Sequence, residues 1–371
     1  MAETVEKIQL KNIDQSDWQS FRFDEIAQKI SERVDPAATD LEVYVGLEHL
    51  DPDSIHIRRK GKPTDVKGEK LRCYPGDVIF GKRRAYQRKA ALIDFHGICS
   101  AHSFIFRAIP EIIDPKLFPF FLHSDQFMHR AVDISVGGLS PTINWRELKH
   151  QEFLLPPKDQ QAQIAELLWA MDEVVEGKVQ IVENLSLLKK SKLKDVFNRK
   201  VCDKVKVGDI SENLDNKRIP IAKSKRIKGT TPYYGASGIV DYVEGHTHDE
   251  PILLISEDGE NLNSRKLPIA YEVDGKSWIN NHAHVLRITR ASRYLVKEYF
   301  NFADVSDYIT GGTRPKITKG MLTVMPIYLP KSGLEAIAEH RLVSIDYSIT
   351  SCKQYIMKAK SLQKSLINQI F

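Results

Sequence analysis

Much that would mark a familiar enzyme or a membrane protein is missing from this sequence. No uncharged apolar run approaches the roughly 18–20 residues that cross a bilayer, so no membrane span is expected. The opening residues, MAETVEK, lack a positive start followed by an apolar stretch, so no secretory leader is expected. The four cysteines, Cys73, Cys99, Cys202 and Cys352, are scattered and form no CxxC pair. A disulfide framework and a zinc ribbon are therefore not expected, and a reducing cytoplasm fits. There is no GxGxxG fingerprint, and Asp274-Gly275-Lys276-Ser277 ends like a P-loop but has Ala270 where the glycine-rich cradle should begin. No NPPY- or DPPY-like run is present to hold a base for amino methylation. Glu147 and Lys149 make an ExK arrangement without the upstream acid a nuclease needs. The HxH pairs His246/His248 and His282/His284 would each share one face of a strand and could begin a metal site, but no third ligand follows. The chain is therefore read as non-catalytic, with no cofactor or metal of its own.

What is present is a repeat. Residues 136–156 read VGGLSPTINWRELKHQEFLLP, and residues 310–330 read TGGTRPKITKGMLTVMPIYLP. At a constant offset of 174, seven of 21 positions are identical, including the glycine pair, Pro141/Pro315, Ile143/Ile317 and Pro156/Pro330. Leu188, Lys190, Ser191 and Phe197 recur at the same offset as Leu362, Lys364, Ser365 and Phe371. So long a period is not a solenoid; it is a duplicated domain-plus-helix unit. Two whole units are expected to fill the 371 residues.

Each unit closes on a helical pattern. In the first, Ile164, Leu167, Met171, Val174, Ile181, Leu185 and Leu188 recur at 3–4 spacing, with Lys178 and Lys192 on the seam. In the second, Ala338, Leu342, Ile345, Ile349, Cys352, Ile356 and Ala359 do the same. Neither stripe can be buried alone, so the two helices are expected to bury each other. The regions before them read as mixed α/β (α+β) heads. Strands are expected at 42–47, 77–80, 103–106, 252–255 and 284–288, and helices at 115–128 and 294–302. The expected division is a first domain at 1–157, a long helix at 158–198, a second domain at 199–331 and a second long helix at 332–371. The predicted architecture is two globular heads and two long helices packed as an antiparallel coiled coil, with pseudo-two-fold internal symmetry.

The cations cluster in the heads. Residues 81–89, GKRRAYQRK, carry Lys82, Arg83, Arg84, Arg88 and Lys89, with Tyr86 among them. Residues 216–228 carry Lys217, Arg218, Lys223, Lys225, Arg226 and Lys228, and Tyr233, Tyr234 and Ser237 follow. Such residues neutralise phosphates, and arginine can also read guanine edges; the same runs would equally serve as solvated loops. One run per unit favours a nucleic-acid role. The matched loops Gly137-Gly138-Leu139-Ser140-Pro141-Thr142 and Gly311-Gly312-Thr313-Arg314-Pro315-Lys316 could present Ser140, Thr142, Thr313, Arg314 and Lys316 to a phosphate, or could simply be turns.

Two divergent heads alternate with two related helices, each entered through a GG-x-x-P-x-I segment and an LP step. In the first unit the entry is Leu154-Leu155-Pro156-Pro157, then Gln160-Gln161 and Ile164-Ala165. This arrangement, with Tyr233-Tyr234-Gly235-Ala236-Ser237-Gly238 and Asn281-His282-Ala283-His284, resembles the DNA-specificity subunit of Type I restriction–modification enzymes. The second unit departs in having Leu329-Pro330-Lys331 and no glutamine pair after it. The resemblance implies two target recognition domains, each reading half of a bipartite site in double-stranded DNA. It implies helices that space the heads and dock two methylation subunits, which would carry S-adenosylmethionine, with motor–nuclease subunits completing the complex. The readings it competes with are the recognition subunit of another restriction class and a coiled-coil protein-interaction scaffold.

Overall fold

The structure is a computed structural model describing residues 15–371. The segment read for a leader, and the expected start of the first domain at residue 1, lie outside the described residues. Two compact units are present. The first takes the described residues through Gln180 together with Lys353–Phe371, and the second takes Ile181–Cys352. Each unit thus holds one head, one half of the helix Lys158–Val196 and one half of the helix Glu335–Ile370.

Both heads are built on one plan. In the first, a four-stranded antiparallel sheet runs in the order Ala27–Ile30, Ser103–Ala108, Val78–Gly81, Ala90–Leu92. In the second, the order is Ser211–Asn213, Ala283–Ile288, Ile252–Ser256, Ala270–Val273. A second four-stranded sheet, mixed in direction, completes each head. A two-stranded ribbon joins the start of each head to the LP step: Gln19–Arg22 pairs with Glu152–Leu155, and Cys202–Lys206 pairs with Pro326–Pro330. The expected strands at 77–80, 103–106, 252–255 and 284–288 and the helix at 294–302 correspond to observed elements. Two expectations are corrected. The strand at 42–47 shrinks to Tyr44–Val45, because the Gly46 amide donates to His49 Nδ1 (3.1 Å) and a 3-10 turn begins. The helix at 115–128 is two helices, Phe118–Leu122 and Asp125–Asp133, because Ser124 is extended and caps the second by accepting from the Phe127 amide.

The first head's core is aromatic. Phe23 stands edge-on to Phe106 with ring centres 5.0 Å apart, and Phe121 meets Phe153 at 5.2 Å in the same geometry. Phe371 closes on Phe121 at 5.3 Å, tying the second long helix's end into this core. The second head's core is aliphatic, with Leu253, Ile255, Leu286, Leu295 and Ile327 buried around Phe300.

The long helices contain 39 and 36 residues, about 55–60 Å each at 1.5 Å per residue. They run antiparallel. Lys189 pairs with Asp346 (2.8 Å), Lys178 lies over the Tyr355 ring (5.5 Å), and Gln363 Nε2 donates to the Leu168 carbonyl (3.1 Å), so numbers rise on one helix as they fall on the other. The second helix buries or half-buries the stripe expected from its sequence. The first does not. Its buried positions are Gln161, Ala165, Leu168, Asp172, Val175 and Leu193, while Leu167, Val174, Ile181 and Leu188 are exposed. The inward face was obscured because it carries polar residues that are individually satisfied. Gln161 donates to the carbonyls of Ile112 and Pro156 and accepts from the Asp114 amide. Lys189 is held by Glu298 and Asp346. Asp172 receives His56 Nε2 at 2.6 Å.

That last contact makes the fold sensitive to the protonation of His56. The Asp172 hydrogen bond raises the pKa of His56 above its ordinary 6.5 against the opposing effect of burial. The folded state therefore favours the imidazolium. Its contribution is full below the ordinary value and is lost as pH rises through the raised one. Raising pH from about 6 to about 8 should lower the melting temperature of the wild type by about 1–2 °C more than that of His56→Gln. Equal pH dependence of the two melting curves would contradict this.

Candidate nucleic-acid interface

Each GG loop is strapped to the segment leaving one strand of the antiparallel sheet, Val78–Gly81 in the first head and Ile252–Ser256 in the second. In the first unit the amides and carbonyls of Val136 and Thr142 exchange hydrogen bonds (3.1 and 2.9 Å), pinching off a five-residue tip at 137–141. The Arg84 amide donates to the Pro141 carbonyl (2.7 Å) and the Ile143 amide to the Lys82 carbonyl (2.9 Å), with a bridge between Arg83 and Thr142. The second unit repeats every bond. Thr310 and Lys316 exchange pairs at 2.7 Å, Gly259 donates to Pro315 (3.0 Å), Ile317 donates to Glu257 (2.8 Å), and Asp258 bridges Lys316.

The strap aligns the heads residue by residue. Strand registers agree: Gly81 faces Ser103 as Ser256 faces Ala283, and Phe80 faces Phe104 as Ile255 faces His284. Lys82, Arg83 and Arg84 therefore occupy the places of Glu257, Asp258 and Gly259. The two basic runs, read from sequence as one per unit, are not equivalent. In the first head the cations come from the strand exit and the hydroxyls from the loop, and Arg84 Nε reaches Ser140 Oγ at 3.2 Å. In the second the cations come from the loop and the carboxylates from the strand exit. Arg314 pairs with Asp258 (2.9 Å) and Lys316 with Glu257 (2.8 Å). Arg84 has φ +57° where its counterpart Gly259 has φ +113°. A left-handed arginine is strained relative to glycine, and here that conformation sets an exposed guanidinium beside the loop.

The remaining candidates divide by exposure. Arg83, Arg84 and Tyr86 are exposed, as are Lys223, Lys225, Lys228, Ser237, Thr313, Arg314 and Lys316. Lys82, Ser140, Thr142 and Tyr234 are partly buried. Lys217 is exposed and pairs with Glu250 (3.3 Å). The others are turned inward. Arg88 is held by Asp53 (2.7 Å), Asp125 (2.8 Å) and the His123 carbonyl, and Lys89 donates to the Leu47 carbonyl. Arg218 binds Glu257 and the Ala283 carbonyl, and Arg226 binds Asp241 (3.0 Å) and stacks on Tyr233. Tyr233 is 1% exposed, and its hydroxyl accepts from the Ile221 amide. It braces the 219–226 segment from beneath. Sequence reasoning passed over Leu139, which is 97% exposed at the tip of the first loop.

The metal question centres on Asp215, Glu257 and His284, whose ligand atoms lie within 4.8 Å of one another. His284 Nδ1 lies 2.7 Å from Asp215 and Nε2 lies 2.8 Å from the Ile317 carbonyl, so both ring nitrogens are engaged. Arg218 and Lys316 neutralise Glu257. Burial works to raise the Asp215 carboxyl, but His284 and the Val285 amide outweigh it and hold it at about 2. This group is a satisfied ion-pair network. Asp274-Gly275-Lys276-Ser277 joins the strands Ala270–Val273 and Lys276–Ile279, so it is not the strand-to-helix loop of a phosphate cradle.

Gly311 and Gly312 separate the loop's backbone requirement from its surface. Gly311 has φ +85°, and a Cβ there would lie 2.5 Å from the Arg314 carbonyl oxygen, whereas one on Gly312 meets nothing within 4 Å. Gly311→Ala should cost about 1–3 kcal/mol in urea unfolding of the second unit, and Gly312→Ala under about 0.5 kcal/mol. Equal costs would refute this loop conformation.

The comparisons with known proteins agree with this duplicated plan. The family model described as the Type I restriction modification DNA specificity domain matches twice, at residues 15–185 and 189–350. A putative type I restriction enzyme specificity subunit of Haemophilus influenzae is 36% identical over 130 residues, covering 35% of this chain and 33% of that one. A putative type I specificity subunit of Methanocaldococcus jannaschii is 25% identical over 369 residues, covering 87% of this chain and 84% of its own. The crystal structure of a Type I restriction–modification S subunit from M. genitalium superposes with a TM-score of 0.63 at 16% identity, covering 98% of each chain.

Proposed function

The chain belongs to the Type I restriction–modification DNA specificity family, and we propose that each of its heads reads one half of a bipartite site in double-stranded DNA. The observation that carries this is the repeated strap. It presents an equivalent loop-and-strand-exit surface in each head while allowing the side chains on it to differ. Two equivalent surfaces of different chemistry suit two half-sites of different sequence. In the first head, Arg83 and Arg84 supply phosphate or guanine contacts, Ser140 and Thr142 supply hydroxyls, and Tyr86 supplies an aromatic face. In the second, Thr313, Arg314 and Lys316 take that place, and Lys223, Lys225 and Lys228 add exposed cations.

The chain chooses the site and performs no chemistry itself. Methylation subunits carrying S-adenosylmethionine would act on the chosen DNA, and motor–nuclease subunits would cut it. The exposed residues Leu167 and Val174 in the first unit, and Ile181 and Leu188 in the second, offer those subunits an apolar stripe along the helix. The paired helices then fix the number of unread base pairs between half-sites. No helix among the described residues is long and apolar enough to cross a membrane, and the proposed site of action is the cytoplasm, where the DNA lies. The recognition subunit of another restriction class would share these surfaces but would not need that stripe.

Arg83→Ala with Arg84→Ala should weaken binding of the assembled complex to DNA varied in one half-site. Arg314→Ala with Lys316→Ala should do so for the other. Each lost phosphate contact should reduce the log–log salt slope by about one, and each lost bidentate base contact should cost about 1–3 kcal/mol at one base pair. A uniform loss over both half-sites from either pair would refute the one-head, one-half-site assignment.

A further inference from the structure

The strap that aligns the heads also aligns what lies behind it, and there the two differ. In the second head this region is electrically closed. Arg218 reaches Glu257 at 2.5 Å, Lys316 reaches the same carboxylate at 2.8 Å, and His284 is bound to Asp215. In the first head Glu257 and His284 are both replaced, as are two of their neighbours. Lys82 stands for Glu257, Phe104 for His284, Ser103 for Ala283 and Lys29 for Asn213. The result is a cavity of about 250 Å³ lined by residues of both sheets of that head, Lys29, Lys82 and Ser103 among them.

The charges in this cavity are not balanced. Lys82 lies over the Phe104 ring (5.2 Å) and Lys29 over the Trp145 ring (5.8 Å), contacts that seat the ammoniums without neutralising them. Among the described residues, neither lysine has a carboxylate partner. Burial and then the charge of Lys29 lower the pKa of Lys82, so two cations converge on one space. Arg33 and Lys70 add positive charge at the wall, offset by Glu69 alone, which pairs with Arg33 at 2.5 Å. Ser103 contributes a hydroxyl that is wholly buried and has no hydrogen-bond partner. Converging cations of like sign and an unsatisfied buried hydroxyl are both costly in a folded protein. One dianionic, acceptor-rich group satisfies both.

We propose that this cavity of the first head is a phosphate-binding site, with Lys29 and Lys82 supplying charge and Ser103 a hydrogen bond, and that the second head has no counterpart. The phosphate can be one of the DNA backbone, in which case the proposal builds on the DNA-reading function, or a free phosphate group. The two sources are separable. The full chain would be titrated with inorganic phosphate against chloride at matched ionic strength, and in parallel with duplex DNA at several salt concentrations. The variants are Lys29→Gln, Lys29→Arg and Ser103→Ala. The expected result is saturable phosphate binding by the wild type and Lys29→Arg, weakened roughly tenfold in Lys29→Gln and several-fold in Ser103→Ala. For a backbone phosphate, the duplex salt slope of Lys29→Gln also falls by about one. For a free phosphate, the slope stays unchanged while phosphate binding is lost. Ser103→Ala alters no charge, so its loss cannot be ascribed to net charge. It also keeps the test open should Lys29→Gln fold poorly. Absence of saturable phosphate binding, or binding indifferent to both Lys29→Gln and Ser103→Ala, would overturn the site. Phosphate binding by a chain complex that shows no DNA affinity would instead preserve the site and sink the DNA-reading function.

Discussion

The main-chain strap between each GG loop and its strand exit is the interaction on which the rest of the candidate surface depends. It uses amides and carbonyls only, together with the positive φ of Gly137 and Gly311. Side chains on either strand of the strap are therefore free to change without loss of the loop. That separation of backbone from side chain is what permits one fold to carry Lys-Arg-Arg in one head and Glu-Asp-Gly in the other. A duplicated reader of unlike half-sites needs such a scaffold, because identity of frame and difference of contact must coexist.

The two heads spend the same positions differently. The first leaves its strand-exit cations facing solvent and a cavity, so its favourable electrostatic partner has to come from outside the chain. The second neutralises its own, with Arg314 on Asp258 and Lys316 on Glu257. In both pairs the cation is exposed while the carboxylate is largely buried, so solvent screens part of the attraction. Their effect is to orient the guanidinium and to set a carboxylate beside it, which adds an acceptor suited to a cytosine amino group. The first head offers no such acceptor at the equivalent place.

Much of this was legible in the sequence, and what was not has identifiable causes. The repeat exposed the duplication because its glycines and prolines are fixed by backbone geometry. The second long helix showed its buried stripe because that face is uniformly apolar or small, from Ala338 to Ala359. The first helix hid its buried face behind Gln161, Asp172 and Lys189, whose burial becomes sensible only when the partners Ile112, His56 and Asp346 are in place. Of its more hydrophobic stripe, Leu167, Val174, Ile181 and Leu188 are exposed in the single chain. Within the heads, linear charge density located the exposed Arg83 and Arg84. It could not tell them from Arg88 and Arg218, which answer to carboxylates distant in sequence, nor show that Tyr233 faces inward. The equivalence of Lys82 with Glu257 was invisible to alignment by charge, since it rests on the strap's main-chain bonds and on strand register.

The central claim is that one chain with two equivalent but chemically distinct heads specifies a two-part DNA site. Mapping DNA methylation in a host that carries this chain with its methylation subunit tests that most directly. The account predicts a methylated motif of two unlike half-sites separated by a fixed unread gap, lost when this chain is deleted. A single uninterrupted motif, or a two-part motif that persists without this chain, would contradict it.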